Sequence, residues 1–462
     1  MSNNNVRKVN RSIVPNGTVR GLEIFQDTTD DKLYYKDGNG NVTPLGSSTV
    51  SPENTWEIPT VAFVNPDPAV GNDGTAVIGD GNKPYLTIAA AQAASNIIFF
   101  QPYNDYTEKF ALGTGKTYFS YPGVIFTTGG IVNTGGTLVG TKFLGYAKFF
   151  GNQNLIRLDN ITLTDVVIEF DSAETTSGAS GGCCFIDCDN PSTLTFKCNS
   201  LKDIYNGNAF GASFKGPITG TLDVAESIIG SYGVLALGFS GEYLRNFTVN
   251  CPRIVCLNGG IAGNLDPYKQ AVNYGGTESG YKTVINGNVY HEAVGTLANF
   301  SGCVVARYSG GGTLEINGNL VGGDQRGIVN LSTDNIIFNG GIDTVASAFT
   351  ITTGEILIKN STILQGIANS ITGSPKVFIY GSTIKSTTTA NIIDKLSAAS
   401  KLVIRDTDAV GDTGEFVNTG GGSFAVGMIN VFSNLNNDSA MASLYTALGF
   451  TKDTALIVPD FN

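Results

Sequence analysis

Between residues 314 and 406 an apolar–variable–apolar unit recurs, and a polar bend follows it each time. It reads Leu314-Glu315-Ile316-Asn317-Gly318, then Ile336-Ile337-Phe338-Asn339-Gly340, then Ile356-Leu357-Ile358-Lys359-Asn360. Val377-Phe378-Ile379-Tyr380-Gly381 and Leu402-Val403-Ile404-Arg405-Asp406 continue the series, with starts 22, 20, 21 and 25 residues apart. A β-type unit at such a period marks a solenoid, because each coil buries its apolar face only against the next. Looser copies begin at Leu194, Leu222, Phe247 and Thr283, giving a mean of about 26 residues per coil. First and third positions of a strand share a face. Phe196, Val224, Val249, Ile285, Ile316, Phe338, Ile358, Ile379 and Ile404, all in third place, are therefore expected to stack as one inward ladder. The gaps are too short and polar for helices between strands, which argues against a doubly wound α/β fold. The pattern predicts an all-β chain built on a right-handed parallel β-helix. An immunoglobulin-like array of sandwiches is the competing arrangement.

The position between the inward pair should face outward. It is largely polar over Thr195, Asp223, Thr248, Val284 and Glu315, then apolar at Ile337, Leu357, Phe378 and Val403. An exposed apolar strip usually marks an interface. These four residues are thus expected to meet a symmetry mate about a three-fold axis, unless the chain's own loops or C-terminal segment cover them.

Flanking segments predict closures. Residues 1–50 read as a separate module: Leu22, Ile24 and Phe25 lie in a short strand, and Leu33, Tyr34 and Tyr35 open a hairpin that turns at Asp37-Gly38-Asn39-Gly40-Asn41. So small a module needs a partner surface. Residues 51–110 form a linker with Trp56 as packing anchor, then a cap. In the cap, the Gly79-to-Pro84 turn leads into an alanine-rich helix, Tyr85 to Ser95, with Thr87 as N-cap. Laid over the first coil, that helix would cover its open end. The shaft is assigned to 111–412. Residues 413–462 form a C-terminal β/α cap: a strand within Phe424–Phe432, a helix over Ser439–Leu448 and a last strand at Leu456-Ile457-Val458.

Charge and cysteine content narrow the setting. The net charge of −11 argues against a nucleic-acid-binding face. No run approaches the length of a membrane span, and the polar start lacks the apolar stretch of a signal peptide, so cytoplasmic synthesis is expected. Seven cysteines, an odd number, argue against a disulfide framework. Cys184, Cys188 and Cys198 do not match zinc spacing, and His291 is the lone histidine. Small buried thiols in stacked turns are expected, with no metal and no cofactor.

Asp80-Gly81-Asn82-Lys83-Pro84-Tyr85-Leu86-Thr87-Ile88 with Ala90 to Ala94, followed by irregular β coils, resembles the capped start of pectate-lyase-like β-helices in bacteriophage tailspikes and fibres. Lys32-Leu33-Tyr34-Tyr35-Lys36-Asp37-Gly38 is similar to virion-anchoring segments of phage fibres, including head or tail fibres of Bacteroidetes-infecting phages. The motif likeness covers about 40 residues; as architecture it spans most of the chain. The resemblance implies a homotrimer on a virion, anchored to a capsid or tail protein by residues 1–50, and projecting a shaft that adheres to host surface glycan.

Many tailspikes of this shape cut polysaccharide with paired carboxylates, so a depolymerising enzyme, hydrolase or lyase, is the rival reading. A bacterial surface adhesin is a third. The longest insertions, between Phe247 and Leu314, place Asp266, Tyr268, Tyr274, Glu278 and Tyr281 together as a candidate glycan-binding set of aromatics beside acids. A solvated decorating loop is the plainer alternative. No catalytic residue is assigned.

Overall fold

The fold is taken from a computed structural model. It describes residues 60–384 apart from 153, 176–181, 204–209, 231–232, 239–240, 258–269, 293–301, 324–325, 345–347, 352–353, 365–366 and 370–375. Outside that range it describes the backbone of short strands. The chain divides into two compact units, residues 1–174 with 193–199, and residues 175–192 with 200–462.

The second unit is a stack of parallel coils whose strands fall in two sheets. One sheet contains Ile218–Gly230, Phe247–Cys256, Lys282–His291, Thr313–Asn317, Asn335–Thr344, Glu355–Ile363, Lys376–Tyr380, Lys401–Arg405 and Ile429–Phe432. The other runs from Cys184–Cys188 through Phe210–Lys215, Gly233–Leu237, Gln270–Tyr274, Gly302–Ala306 and Arg326–Asn330 to Phe349–Ile351 and beyond. These strands pair across coils in parallel. This is the parallel β-helix that the period predicts. The third-position ladder is in register: Ile285, Ile316, Phe338, Ile358, Ile379 and Ile404 pair in succession. The first five are fully buried. Phe338 meets Phe349 of the facing sheet at 5.6 Å between ring centroids.

One coil departs from the expected register. Gly220, not Leu222, lies opposite Phe247, and Leu222 pairs with Val249. A shift by two residues keeps every side chain on its face, so alternation cannot detect it, whereas a shift by one would turn the core outward.

The bend after each inward pair is a column of its own. Gly287, Gly318 and Gly340 have φ of +148°, +150° and +158°. A Cβ on Gly318 would lie 2.1 Å from Gly287 O, and one on Gly340 would lie 2.0 Å from Gly318 O. Only glycine permits this approach. Beside it runs a chain of amides: Asn339 Nδ2 donates to Asn317 Oδ1 (2.8 Å), Asn317 to Asn286 (2.9 Å) and Asn286 to Asn250 (2.8 Å). Asn250 Nδ2 donates to Asp223 Oδ1 at 2.6 Å. A carboxylate only accepts, so Asp223 fixes the direction of every amide in the series. At the next coils Lys359 and Tyr380 replace asparagine in register, and the bend changes to left-handed Asn360 (φ +46°) and Gly381 (φ +55°).

In the first unit, Val61–Val64, Ile97–Phe100, Thr117–Ser120, Lys142–Gly145 and Val166–Glu169 pair in parallel succession, and Leu194 to Lys197 pair on from there. The core is aromatic: Phe100 packs against Tyr106, Phe110, Tyr118, Phe126 and Phe143 with centroids 5.5–6.4 Å apart. Ile88–Ala94 is the alanine-rich helix, shorter than expected. Thr87 Oγ1 accepts from Ala90 N, and Glu108 Oε2 accepts from Ile88 N. Lys116 Nζ closes its far end by donating to Gln92 O and Ser95 O. The free edge of Val61–Val64 is occupied by the loop before the helix, as Gly79 N donates to Val61 O and Tyr85 N to Phe63 O. The loop, rather than the helix alone, satisfies the first coil's backbone.

In residues 1–50 the backbone forms a four-stranded sheet. Glu23–Asp27 and Leu33–Lys36 are antiparallel, with Ile24 opposite Tyr35 and Phe25 opposite Tyr34, and Val42–Pro44 completes the expected hairpin. Arg7–Val9 adds a parallel strand that the sequence did not announce. Leu22, Trp56 and the predicted segments at 439–448 and 456–458 lie outside the described residues, while Ile429–Phe432 is a strand. All seven cysteines are buried. The expectation that they occupy turns is corrected: six lie in strands, filling space as small apolar groups.

Candidate functional site

Of the five residues expected to form a glycan-binding set, Asp266 and Tyr268 lie outside the described residues. The other three do not form one surface. Tyr274 ends the strand Gln270–Tyr274 and is fully buried, so the expectation that its ring stacks on a sugar is corrected. Its side chain shares the inward face with Val272, and its hydroxyl donates to Asp334 Oδ2 at 2.8 Å.

Asp334, also fully buried, is the centre of that interior cluster. Thr277 N (3.1 Å) joins the tyrosine on Oδ2, while Gly310 N and Gly311 N (2.8 Å each) reach Oδ1. The Thr277 hydroxyl sits 2.8 Å from the Tyr274 oxygen and 2.6 Å from Thr283 Oγ1. Four donors thus hold one buried carboxylate, as satisfaction of a buried charge demands. Burial and the neighbouring carboxylate push the Tyr274 phenol well above its usual pKa. The cluster pins the turn at 277–281 and the bend at 310–311 to the core.

That pinned turn presents the remaining two residues outward. Glu278 Oε2 accepts from Arg245 Nε at 2.6 Å, and the Arg245 guanidinium lies 5.2 Å from the Tyr281 ring centroid. Arginine therefore occupies both the acid and a face of the aromatic ring. A similar group follows on the same two coils: Arg253 stands 5.5 Å from the Tyr290 ring centroid and 3.8 Å from Glu292 Oε1. On the other sheet, Lys215 Nζ lies 3.3 Å from Asp187 Oδ2, 3.5 Å from Glu242 Oε2 and 5.0 Å from the Phe185 ring centroid. These surface groups are charge-neutralised clusters able to offer hydrogen bonds and ring faces to a polar ligand. His291 is buried at the end of its strand, away from any solvent-facing role.

The outward apolar ladder is in register, Ile337 with Leu357, Leu357 with Phe378 and Phe378 with Val403. Ile337 and Leu357 are half-buried, whereas Phe378 is 7% exposed within the single chain. The picture of one continuous exposed strip is therefore corrected at Phe378, which the same chain already covers.

A different apolar ladder escaped the sequence reading. Phe63, Phe99, Phe119 and Leu144 pair in register on the first unit, opposite in face to the fully buried Ala62, Ile98, Tyr118 and Phe143, and Phe63 and Phe119 are buried as well, so the same chain covers part of this second face too. The signal was available: the runs Val61-Ala62-Phe63-Val64 and Ile97-Ile98-Phe99-Phe100 are apolar at every position, so both faces of the strand are greasy.

Among the described residues no cluster of three or more His, Cys, Asp or Glu side chains is placed to hold a metal ion. Likewise, no described helix is long and apolar enough to cross a membrane. Comparison of the chain with protein-family models, curated proteins and solved structures returned no match.

Proposed function

We propose that this chain is a structural fibre or spike protein of a virus particle, working as a homotrimer that attaches through residues 1–50 and adheres to host surface glycan through its shaft. The observation that carries this reading is the in-register stacking of parallel coils in the second unit, with the Asp80-to-Tyr85 loop and the Thr87-capped helix satisfying the first strand of the first unit beside it. A solenoid of this kind is a rigid spacer whose sides repeat, suited to holding a binding surface away from an anchor. The separate four-stranded sheet within residues 1–50 supports an anchoring role, since so small a module needs a partner surface.

Adhesion rather than cleavage is favoured by the state of the candidate acids. Glu278 is tied to Arg245, and Asp187 and Glu242 share Lys215. Each acid is thus engaged by a cation and not presented as the free pair of carboxylates that glycoside hydrolysis uses.

The test uses the full-length protein. Light scattering should give three chains per particle, and an array of host capsular and cell-wall glycans should retain the protein without new reducing ends or unsaturated sugars. Release of such ends, abolished by Glu278→Gln or Asp266→Asn, would replace this reading with the enzymatic one. A monomer that retains no glycan would remove it.

A further inference from the structure

Lysines of the described ion pairs stand in two settings. Lys148, Lys282 and Lys376 each meet one carboxylate, with roughly half of the side chain in solvent. Lys215 differs. Its side chain is 21% exposed, and its Nζ lies 3.3 Å from Asp187 Oδ2 and 3.5 Å from Glu242 Oε2. The Phe185 ring centroid is 5.0 Å from the same nitrogen.

Three successive coils build this arrangement. Asp187 and Lys215 pair in register on the parallel strands Cys184–Cys188 and Phe210–Lys215. Their neighbours Ile186 and Phe214 are fully buried and point inward, so Phe185, Asp187 and Lys215 share the outward face. Gly216, at φ +84°, turns so close over the previous coil that a Cβ there would lie 1.8 Å from Cys188 O. Gly216 N donates to Glu242 O at 3.2 Å, which brings the next coil's carboxylate to the amine. Asp187 is buried. Glu242 Oε2 is shut off from solvent and makes no hydrogen bond, although the rest of that side chain is open.

We propose that Lys215 and Asp187 condense to an amide, a covalent staple between neighbouring coils, with Glu242 carrying the proton. The inference is independent of the reading as a virion fibre.

The ion pair already holds every atom of the product. One ammonium proton passes by way of Glu242 Oε2 to Asp187, leaving a free amine against a carboxylic acid. The nitrogen lone pair then forms a bond to Asp187 Cγ. A second N–H proton crosses Glu242 to the departing hydroxyl, the Cγ–O bond breaks and water leaves. Nothing is oxidised or reduced, one positive and one negative charge vanish together, and Glu242 returns to its starting form. Fixed contact drives the step, since effective concentrations in held geometries reach about 10⁵–10⁸ M. Burial of Asp187 and the Phe185 ring beside the amine limit the return of water.

An ordinary ion pair is the competing outcome, and mass separates the two. The experiment is intact mass spectrometry of the full-length protein in denaturant. The stapled chain is one water lighter than its sequence mass, and tandem spectra of a protease digest show a branched peptide joining Asp187 to Lys215. Lys215→Arg and Asp187→Ala should restore the sequence mass, and Glu242→Gln should leave most of the chain unlinked. Lys215→Arg keeps the charge pair, so a lower thermal midpoint in that variant reports the lost cross-link. Circular dichroism shows whether each variant folds, and the unaltered chain decides the matter without them. A folded unaltered chain at its full sequence mass overturns the inference. A water loss that persists in Lys215→Arg arises elsewhere in the chain and overturns it too. Complete linkage in Glu242→Gln overturns the site as drawn, because the proton then needs no such carrier.

Discussion

The Tyr274 hydroxyl donates to Asp334 Oδ2 at 2.8 Å across 60 residues of sequence, joining the end of one coil's strand to the loop two coils further on. Asp334→Asn would put an amide N–H₂ against groups that are themselves donors, among them Thr277 N, Gly310 N and Gly311 N. Orphaning buried donors costs ~1–3 kcal/mol each, so a loss of roughly 2–5 kcal/mol is expected for the variant. Tyr274→Phe removes one hydrogen bond to a charged group, worth about 1.5–3 kcal/mol. Denaturant midpoints measure both, and an Asp334→Asn midpoint equal to that of the unaltered chain would refute the role given to the carboxylate.

Alkaline pH should act through the same interior. Burial pushes the phenols of Tyr106 and Tyr274 above their ordinary value. Each therefore contributes stability that is intact below an unfolded pKa of about 10 and is lost as pH rises towards the folded pKa. The thermal midpoint should be insensitive to these groups up to about pH 10 and fall beyond it. Tyr274→Phe should flatten that fall; a slope identical in the variant would count against the assignment.

Glycine at 318 and 340 is a packing requirement. Gly318→Ala places a methyl 2.1 Å from Gly287 O at a φ of +150°. Strain and overpacking together should cost roughly 2–5 kcal/mol. Gly115→Ala is the control: its Cβ meets nothing within 4 Å, although its φ of +69° is also left-handed. A Gly318→Ala midpoint no lower than that of Gly115→Ala would exclude the close approach as the cause.

Cysteine reactivity follows burial. Desolvation raises Cys183 and Cys188 to about 12 and Cys251 to about 11, far above neutral pH. The thiolate is the reactive species. Alkylation near neutral pH, read by intact mass, should leave the folded chain unmodified and label all seven cysteines in denaturant. Rapid labelling of Cys183 or Cys188 without denaturant would contradict their placement.

What could be read from the sequence was the part governed by repetition. Ile316, Phe338, Ile358 and Ile379 were legible because nearly equal spacing and an Asn or Gly bend recur around them, and they stack as the alternation requires. Leu222 was displaced by two because the faces are unchanged by that shift. The facing sheet was not legible. Strands such as Gln270–Tyr274 and Gly302–Ala306 are buried at every position and carry no period. For the same reason Tyr274 looked like part of a decorating insertion when it belongs to the core. Asp334 gave no signal at all, since its partners lie 23 to 60 residues away.

The amide series from Asp223 to Asn339 makes shaft length adjustable only in whole steps. Asn250, Asn286 and Asn317 each accept from the next coil and donate to the previous one in the same way. Duplicating or deleting one entire coil within this stretch leaves every remaining amide with a neighbour of the right polarity. A partial insertion does not. The column can therefore grow or shrink here by one whole rung at a time, while both ends of the series stay as they are.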